Sequence, residues 1–122
     1  MKILIAEDDT LVREMLDVFL SDQGHAVRSA GNGAELVKLA LDDAPDVIVT
    51  DMHMPEMTGN SMAAMLGAYP SLAKIPMIMI TGATRGELAA AGIPKGIPVL
   101  SKPVDFDRLM TEINGIAAKK QA

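Results

Sequence analysis

The sequence predicts a doubly wound α/β fold: one five-stranded parallel sheet with helices on both faces, a three-layer sandwich. Two observations carry this. Apolar runs of strand length recur at even spacing, KILIA (2–6), HAVRSA (25–30), DVIVT (46–50), PMIMIT (76–81) and IPVLS (97–101). The first, third and fourth are nearly continuous in Ile, Val, Leu and Met, which is the pattern of strands buried on both faces and hence of a parallel sheet. Between the runs lie segments of helical period, so strand and helix alternate five times.

The elements follow in order. After the first strand, Leu11, Val12, Met15, Leu16, Phe19 and Leu20 fall on one helical stripe, and Gly24 stops that helix. Asn32 followed by Glu35 resembles a capping box ahead of AELVKLAL. Residues 59–68 and about 84–91 are shorter helical candidates. The stretch GIPKGIPV (92–99) holds two glycines and two prolines where the fourth helix hands over to the fifth strand, so a short helix and an irregular exit loop are expected there. A last helix is expected from Asp105 to Lys119, with Phe106, Leu109, Met110, Ile113, Ile116 and Ala117 inward. No linker or repeat interrupts the chain, and residues 1–122 are expected to form one domain.

Composition narrows the function. There is no cysteine, which excludes disulfides and thiolate metal sites and fits a cytoplasmic location. The start, MKILIAEDD, has one basic residue and a short apolar run ending in acid, unlike a signal peptide or a membrane span. The formal net charge of −5 argues against direct contact with nucleic acid, whose binders are normally basic. Ten Met and very few aromatics point to a core of adaptable side chains.

In an open parallel sheet, ligands bind beyond the carboxyl ends of the strands, where the strand order switches direction. The expected strand ends carry Glu7, Asp8 and Asp9 after the first strand, Asp51 after the third, Thr81 and Gly82 after the fourth, and Ser101, Lys102 and Pro103 after the fifth. Clustered carboxylates repel one another and raise their own pKa values unless a cation joins them. Hard oxygen donors with few protein contacts suit Mg²⁺, which keeps several waters and also binds phosphate. Lys102 adds a point charge and Thr81 a hydroxyl, so the set can hold the oxygens of a phosphoryl group. A carboxylate can itself be the nucleophile in phosphoryl transfer, which gives Asp51 a reason to stand at a strand tip.

The motifs ILIAEDD, VIVTDMHMPEMTG, MIMITG and LSKP, in this order and on these strand ends, resemble those of response-regulator receiver domains of two-component signalling. Each motif alone is weak; the four together are specific, and the likeness covers essentially the whole chain. It implies a CheY-like, flavodoxin-like (βα)5 fold of strand order 2-1-3-4-5, with Asp51 as phosphoacceptor. The phosphoryl group would come from a phosphohistidine on a sensor histidine kinase or histidine phosphotransfer protein, and an unidentified downstream protein would read the result. By the same likeness Asp8 and Asp51 hold Mg²⁺ directly with the backbone carbonyl of His53, Glu7 acts mostly through a metal-bound water, and Mn²⁺ can substitute. Thr81 and Lys102 contact the phosphoryl group, helped by backbone N–H groups near His53 and Gly82, and the Lys102–Pro103 bond is expected to be cis. The chain would be a switch that catalyses its own phosphorylation and dephosphorylation, not a turnover enzyme.

Blander roles compete at several positions. Asp9 is expected to cap the first helix or face solvent, outside the metal set. Only the backbone of His53 is asked for, His25 is expected to be structural, and Met52, Met54 and Met57 are expected to pack the loop beneath the site. Lys119 and Lys120 read as a solvated tail. One departure stands out: many receivers carry an aromatic residue three before the Lys, and here that position is Val99, so the signal is expected to leave by a different route than an inward-turning ring. The tail IAAKKQA reads as a natural end, favouring a stand-alone regulator, and phosphorylation-dependent homodimerisation is one partner choice the likeness allows.

Three other functions compete with this one. A phosphorylation-independent docking module with the same fold would need none of the acidic set. A haloacid-dehalogenase-like phosphohydrolase would place a D-x-D nucleophile after the first strand, where this chain has Glu7-x-Asp9 and then Leu11. A flavodoxin-like nucleotide binder would need a Gly/Ser/Thr-rich phosphate loop there, and EDDT repels phosphate without a metal.

Overall fold

The structure is a computed structural model that describes residues 1–51, 53–54, 57–58, 64, 66–82 and 96–121. Counting only the main sheet, the strands are β1 (Lys2–Ala6), β2 (Ala26–Ala30), β3 (Val47–Asp51), β4 (Met77–Thr81) and β5 (Val99–Ser101). They pair in parallel in the order β2-β1-β3-β4-β5. Among the described residues the complete helices are α1 (Thr10–Asp22), α2 (Gly33–Asp42) and α3 (Phe106–Gln121). The segment after β3 forms a two-residue antiparallel ladder, His53–Met54 against Met57–Thr58.

Alternation along the strands separates two apolar cores. Ile3, Ile5, Val47, Val49, Ile78, Ile80 and Leu100 pack with Leu16 and Leu20 of α1 and Leu109 and Ile113 of α3. Leu4, Ala6, Ile48, Met77 and Met79 pack with Leu36, Val37 and Ala40 of α2. Successive strand side chains point to opposite faces, so an unbroken apolar run supplies both cores at once. This is the three-layer, doubly wound sandwich expected from the sequence.

The helix boundaries have local causes. Asp9 caps α1, its Oδ1 accepting from the N–H groups of Leu11 and Val12 at 3.0 and 3.3 Å. Gly24 adopts φ +89°, the left-handed turn that ends the helix without a Cβ clash. Asn32 caps α2 through the Glu35 N–H at 2.8 Å. The return arm of the capping box reaches one residue further than expected: Glu35 Oε2 accepts from Gly31 N at 3.4 Å. Gly96, also at φ +89°, gives the expected irregular entry to β5.

The stripe on α1 is narrower than expected. Leu16 and Leu20 are buried and Val12 and Phe19 half-buried, but Leu11 is 67% and Met15 49% exposed. At 100° per residue the six expected positions span about half the helix circumference, and a helix lying on a sheet buries only the side that faces it. Leu11 and Met15, with exposed Val18, instead line an open groove of about 510 Å³ beside Phe19 and Phe106.

On α3 the expected inward set holds, with Leu109 and Ile113 fully buried and Phe106, Met110, Ile116 and Ala117 half-buried. Lys119 is exposed, as a tail residue should be. His25 has a structural position: its Nδ1 lies 3.1 Å from the N-terminal amine, and burial, with that positive charge, holds its pKa below the ordinary value. The helix expected at 84–91, most of that at 59–68, Lys120's side chain and the packing of Met52, Met54 and Met57 lie outside what is described. Among the described residues no helix is long and apolar enough to cross a membrane.

Candidate functional site

The chain leaves β1 toward β2 on one side and adds β3, β4 and β5 on the other, so the order reverses between β1 and β3. Crevices at such a reversal are where open parallel sheets bind ligands. Glu7 and Asp8 follow β1 and Asp51 ends β3, on adjacent strands at that point. One carboxylate oxygen from each of the three lies within 4.8 Å of the others.

Glu7 and Asp51 are buried, 1% and 6% exposed, while Asp8 faces solvent. Lys102 reaches into the cluster from the end of β5. Its Nζ donates to Asp51 Oδ2 at 2.8 Å and to Glu7 Oε1 at 3.3 Å. Glu7 Oε2 is 3.2 Å from the same ammonium, an ion-pair contact that lacks hydrogen-bond geometry, and among the described residues it receives no hydrogen bond. The Lys102 backbone N–H is tied to Thr81 O at 2.7 Å, and the Lys102–Pro103 bond is cis, as the resemblance implies.

Burial is the main reason the Glu7 pKa rises to about 7; the charge of Asp51 adds to it, while the Asp9 N–H and Lys102 pull the other way. Burial alone would lower the pKa of Lys102, but the hydrogen bond and charge of Asp51, then those of Glu7, together raise it. One ammonium cannot offset three carboxylates, and a buried carboxylate oxygen without a hydrogen bond is costly. A hard divalent cation answers both deficits, and this donor set fits Mg²⁺.

Thr81 is fully buried at the end of β4, one residue past Ile80, the sheet partner of Asp51. Gly82 follows it, exposed, and a Cβ there would meet none of the described residues within 4 Å. His53 lies in extended backbone two residues past Asp51. Val99 is half-buried, paired with Met79 and packed into the α2-side core. The structure therefore brings Glu7, Asp8, Asp51 and Lys102 together and sets Thr81 on the same rim. It seats Val99 in the core, where the resemblance expects an aromatic ring.

Sequence reasoning passed over Arg13. Its Nη1 donates to the Glu7 carbonyl at 2.9 Å, bracing the acidic turn from α1. A signal was present: Arg13 stands four residues after the cap Asp9, and helix side chains lean toward the N-terminus.

A doubly wound parallel sheet with carboxylates and one lysine at its switch point defines a class of domains, and the comparisons identify which. The family model for the response regulator receiver domain matches residues 3–114, and the chain belongs to that family. It is 33% identical over 97% of its length to the probable transcriptional regulator ycf29 of Pyropia yezoensis, covering 54% of that protein. It is 32% identical over 96% of its length to Protein PilH of Pseudomonas aeruginosa, covering 98% of it. Among solved structures, the chemotaxis response regulator CheY4 of Vibrio cholerae superposes with a TM-score of 0.84 at 28% identity, over 94% of this chain and 97% of that one. The chain thus spans about half the length of some curated relatives and nearly all of others. Receiver domains are generally signalling switches rather than turnover enzymes, they bind Mg²⁺ at an acidic cluster of this kind, and they work with a histidine kinase or phosphotransfer protein and a downstream target.

Proposed function

We propose that residues 1–122 form a phosphorylation-activated switch in which Asp51 accepts a phosphoryl group from a phosphohistidine of a kinase or phosphotransfer protein. The observation that carries this reading is the buried Asp51 carboxylate, joined to Lys102 at 2.8 Å beside Glu7 and Asp8 at the sheet's switch point. An Asp51 oxygen attacks phosphorus, the P–N bond breaks, and the bonding pair leaves with the ring nitrogen, a proton on the ring's other nitrogen making the leaving group neutral imidazole. Lys102 hands its contact with Asp51 to a phosphoryl oxygen, and the Thr81 hydroxyl takes another. Glu7, Asp8, Asp51 and the His53 backbone carbonyl would hold Mg²⁺, which neutralises charge on the transferring group. Gly82, bare of side chain, leaves room for phosphoryl oxygens near its N–H.

The added negative charge biases a two-state surface by drawing the Thr81 hydroxyl and the Lys102 ammonium onto the phosphoryl oxygens. With Val99 packed in the core, the output does not depend on a ring at that position. The reader of the switch is a protein, either a downstream target or a second phosphorylated copy, and the cytoplasm is the compartment that fits a phosphohistidine donor.

Intact mass after incubation with Mg²⁺ and a small phosphoramidate tests the proposal. One phosphoryl adduct is expected, lost with chelator and absent in Asp51→Asn. No adduct in either protein would favour a phosphorylation-independent docking module.

A further inference from the structure

The acidic turn 7–9 places like charges on consecutive residues, so something outside the turn must hold its shape. Glu7 N donates to Ala30 O at 3.1 Å, and Asp9 N donates to Glu7 Oε1 at 3.1 Å. Asp9 is further fixed as the cap of α1. Asp8 differs: among the described residues no hydrogen bond or ion pair engages its exposed carboxylate. Its direction depends on the peptide that joins it to Glu7, and the oxygen of that peptide accepts from Arg13 Nη1 at 2.9 Å.

Arg13 can reach there because of Gly31. A Cβ at position 31 would sit 2.9 Å from Arg13 Nη1 and 3.8 Å from its Cζ. Among the described residues the positive-φ glycines are Gly24 and Gly96, so a left-handed backbone does not account for glycine at 31. The close approach of the guanidinium does. Gly31 also directly follows Ala30, whose carbonyl anchors Glu7.

We infer that Arg13 and Gly31 form a matched clamp that sets the Glu7–Asp8 peptide, making Arg13 a positioning residue for the metal and hence for chemistry at Asp51. The inference rests on the proposed function. A cation near a metal site also repels the metal, so the two effects have opposite signs. Arg13 is half-buried, and the clamp requires that the lost brace outweigh the relieved repulsion, so the sign of the change in metal binding decides between them.

The test is Mn²⁺ binding by the full chain, read from the electron paramagnetic resonance signal of free Mn²⁺, with no phosphoryl donor present. Arg13→Met is expected to weaken binding about tenfold or more, the usual range when a partner of a metal ligand is removed. Arg13→Lys, which can still reach one carbonyl, restores part of the loss. Gly31→Ala displaces only the far end of a flexible side chain and should weaken binding in the same direction. Because both act through one contact, the double variant should bind no more weakly than Arg13→Met alone. Unchanged or tighter binding by Arg13→Met overturns the clamp, as do losses that add in the double variant. If Arg13→Met loses its far-UV circular dichroism spectrum, Gly31→Ala decides alone. A wild-type chain that fails to bind Mn²⁺ overturns the proposed function and the clamp with it, whereas wild-type binding with unaffected variants overturns the clamp only.

Discussion

Glu7→Gln should flatten the pH dependence of stability in the metal-free protein. Glu7 is 1% exposed, and its pKa is raised from 4.5 to about 7. Between those values the folded chain binds a proton that the unfolded chain has released. Stability therefore falls as pH rises through the window, and levels off above about 7. Each pH unit of that difference is worth about 1.4 kcal/mol, so from pH 5 to 8 the wild type should lose about 2–3 kcal/mol relative to Glu7→Gln, which has no proton to lose. Taking the difference between the two proteins removes His25, whose lowered pKa acts with the opposite sign in both. The assay is urea unfolding followed by far-UV circular dichroism at pH 5, 6, 7 and 8 with chelator, since the chain has no Trp and a single Tyr. Adding Mg²⁺ should restore the wild type most at pH 8, where Glu7 is ionised. Parallel profiles for the two proteins across the range would refute the burial argument.

Two stability predictions follow from the helices. Gly115 lies within α3 and a Cβ there meets nothing within 4 Å, so Gly115→Ala should stabilise by about 0.5–1 kcal/mol; destabilisation in urea titration would show a contact at that face. Asp9→Ala removes the cap of α1 and should cost about 1 kcal/mol in the same titration, and an unchanged midpoint would mean that water replaces the cap fully.

The sheet was legible because β1, β3 and β4 are so continuously apolar that burial on both faces is their only soluble arrangement. The strand ends were legible for a related reason: Glu7 directly follows the apolar run of β1, Asp51 closes that of β3, and Lys102 comes just after Ser101 at the end of β5. The width of the buried side of α1 was not. Leu11 and Leu16 look alike in a helical pattern, and only the position of the helix over the sheet separates them. Glu7 read as an outer partner of the metal; its near-complete burial against Lys102 comes from β1 and β5 converging on one rim, a contact across 95 residues. Arg13 could have been read from its spacing to the cap Asp9, but Gly31 could not, because its relation to Arg13 is an approach between α1 and the end of β2 that no spacing rule in the sequence announces.

The most direct test of the account is to locate the phosphoryl group. After phosphorylation with Mg²⁺ and phosphoramidate, borohydride reduction converts an acyl phosphate to an alcohol, and peptide mass spectrometry reads which residue changed. The account predicts homoserine at position 51 alone. Reduction at another carboxylate, or a phosphoryl group on His53 or His25 that borohydride leaves untouched, would contradict it.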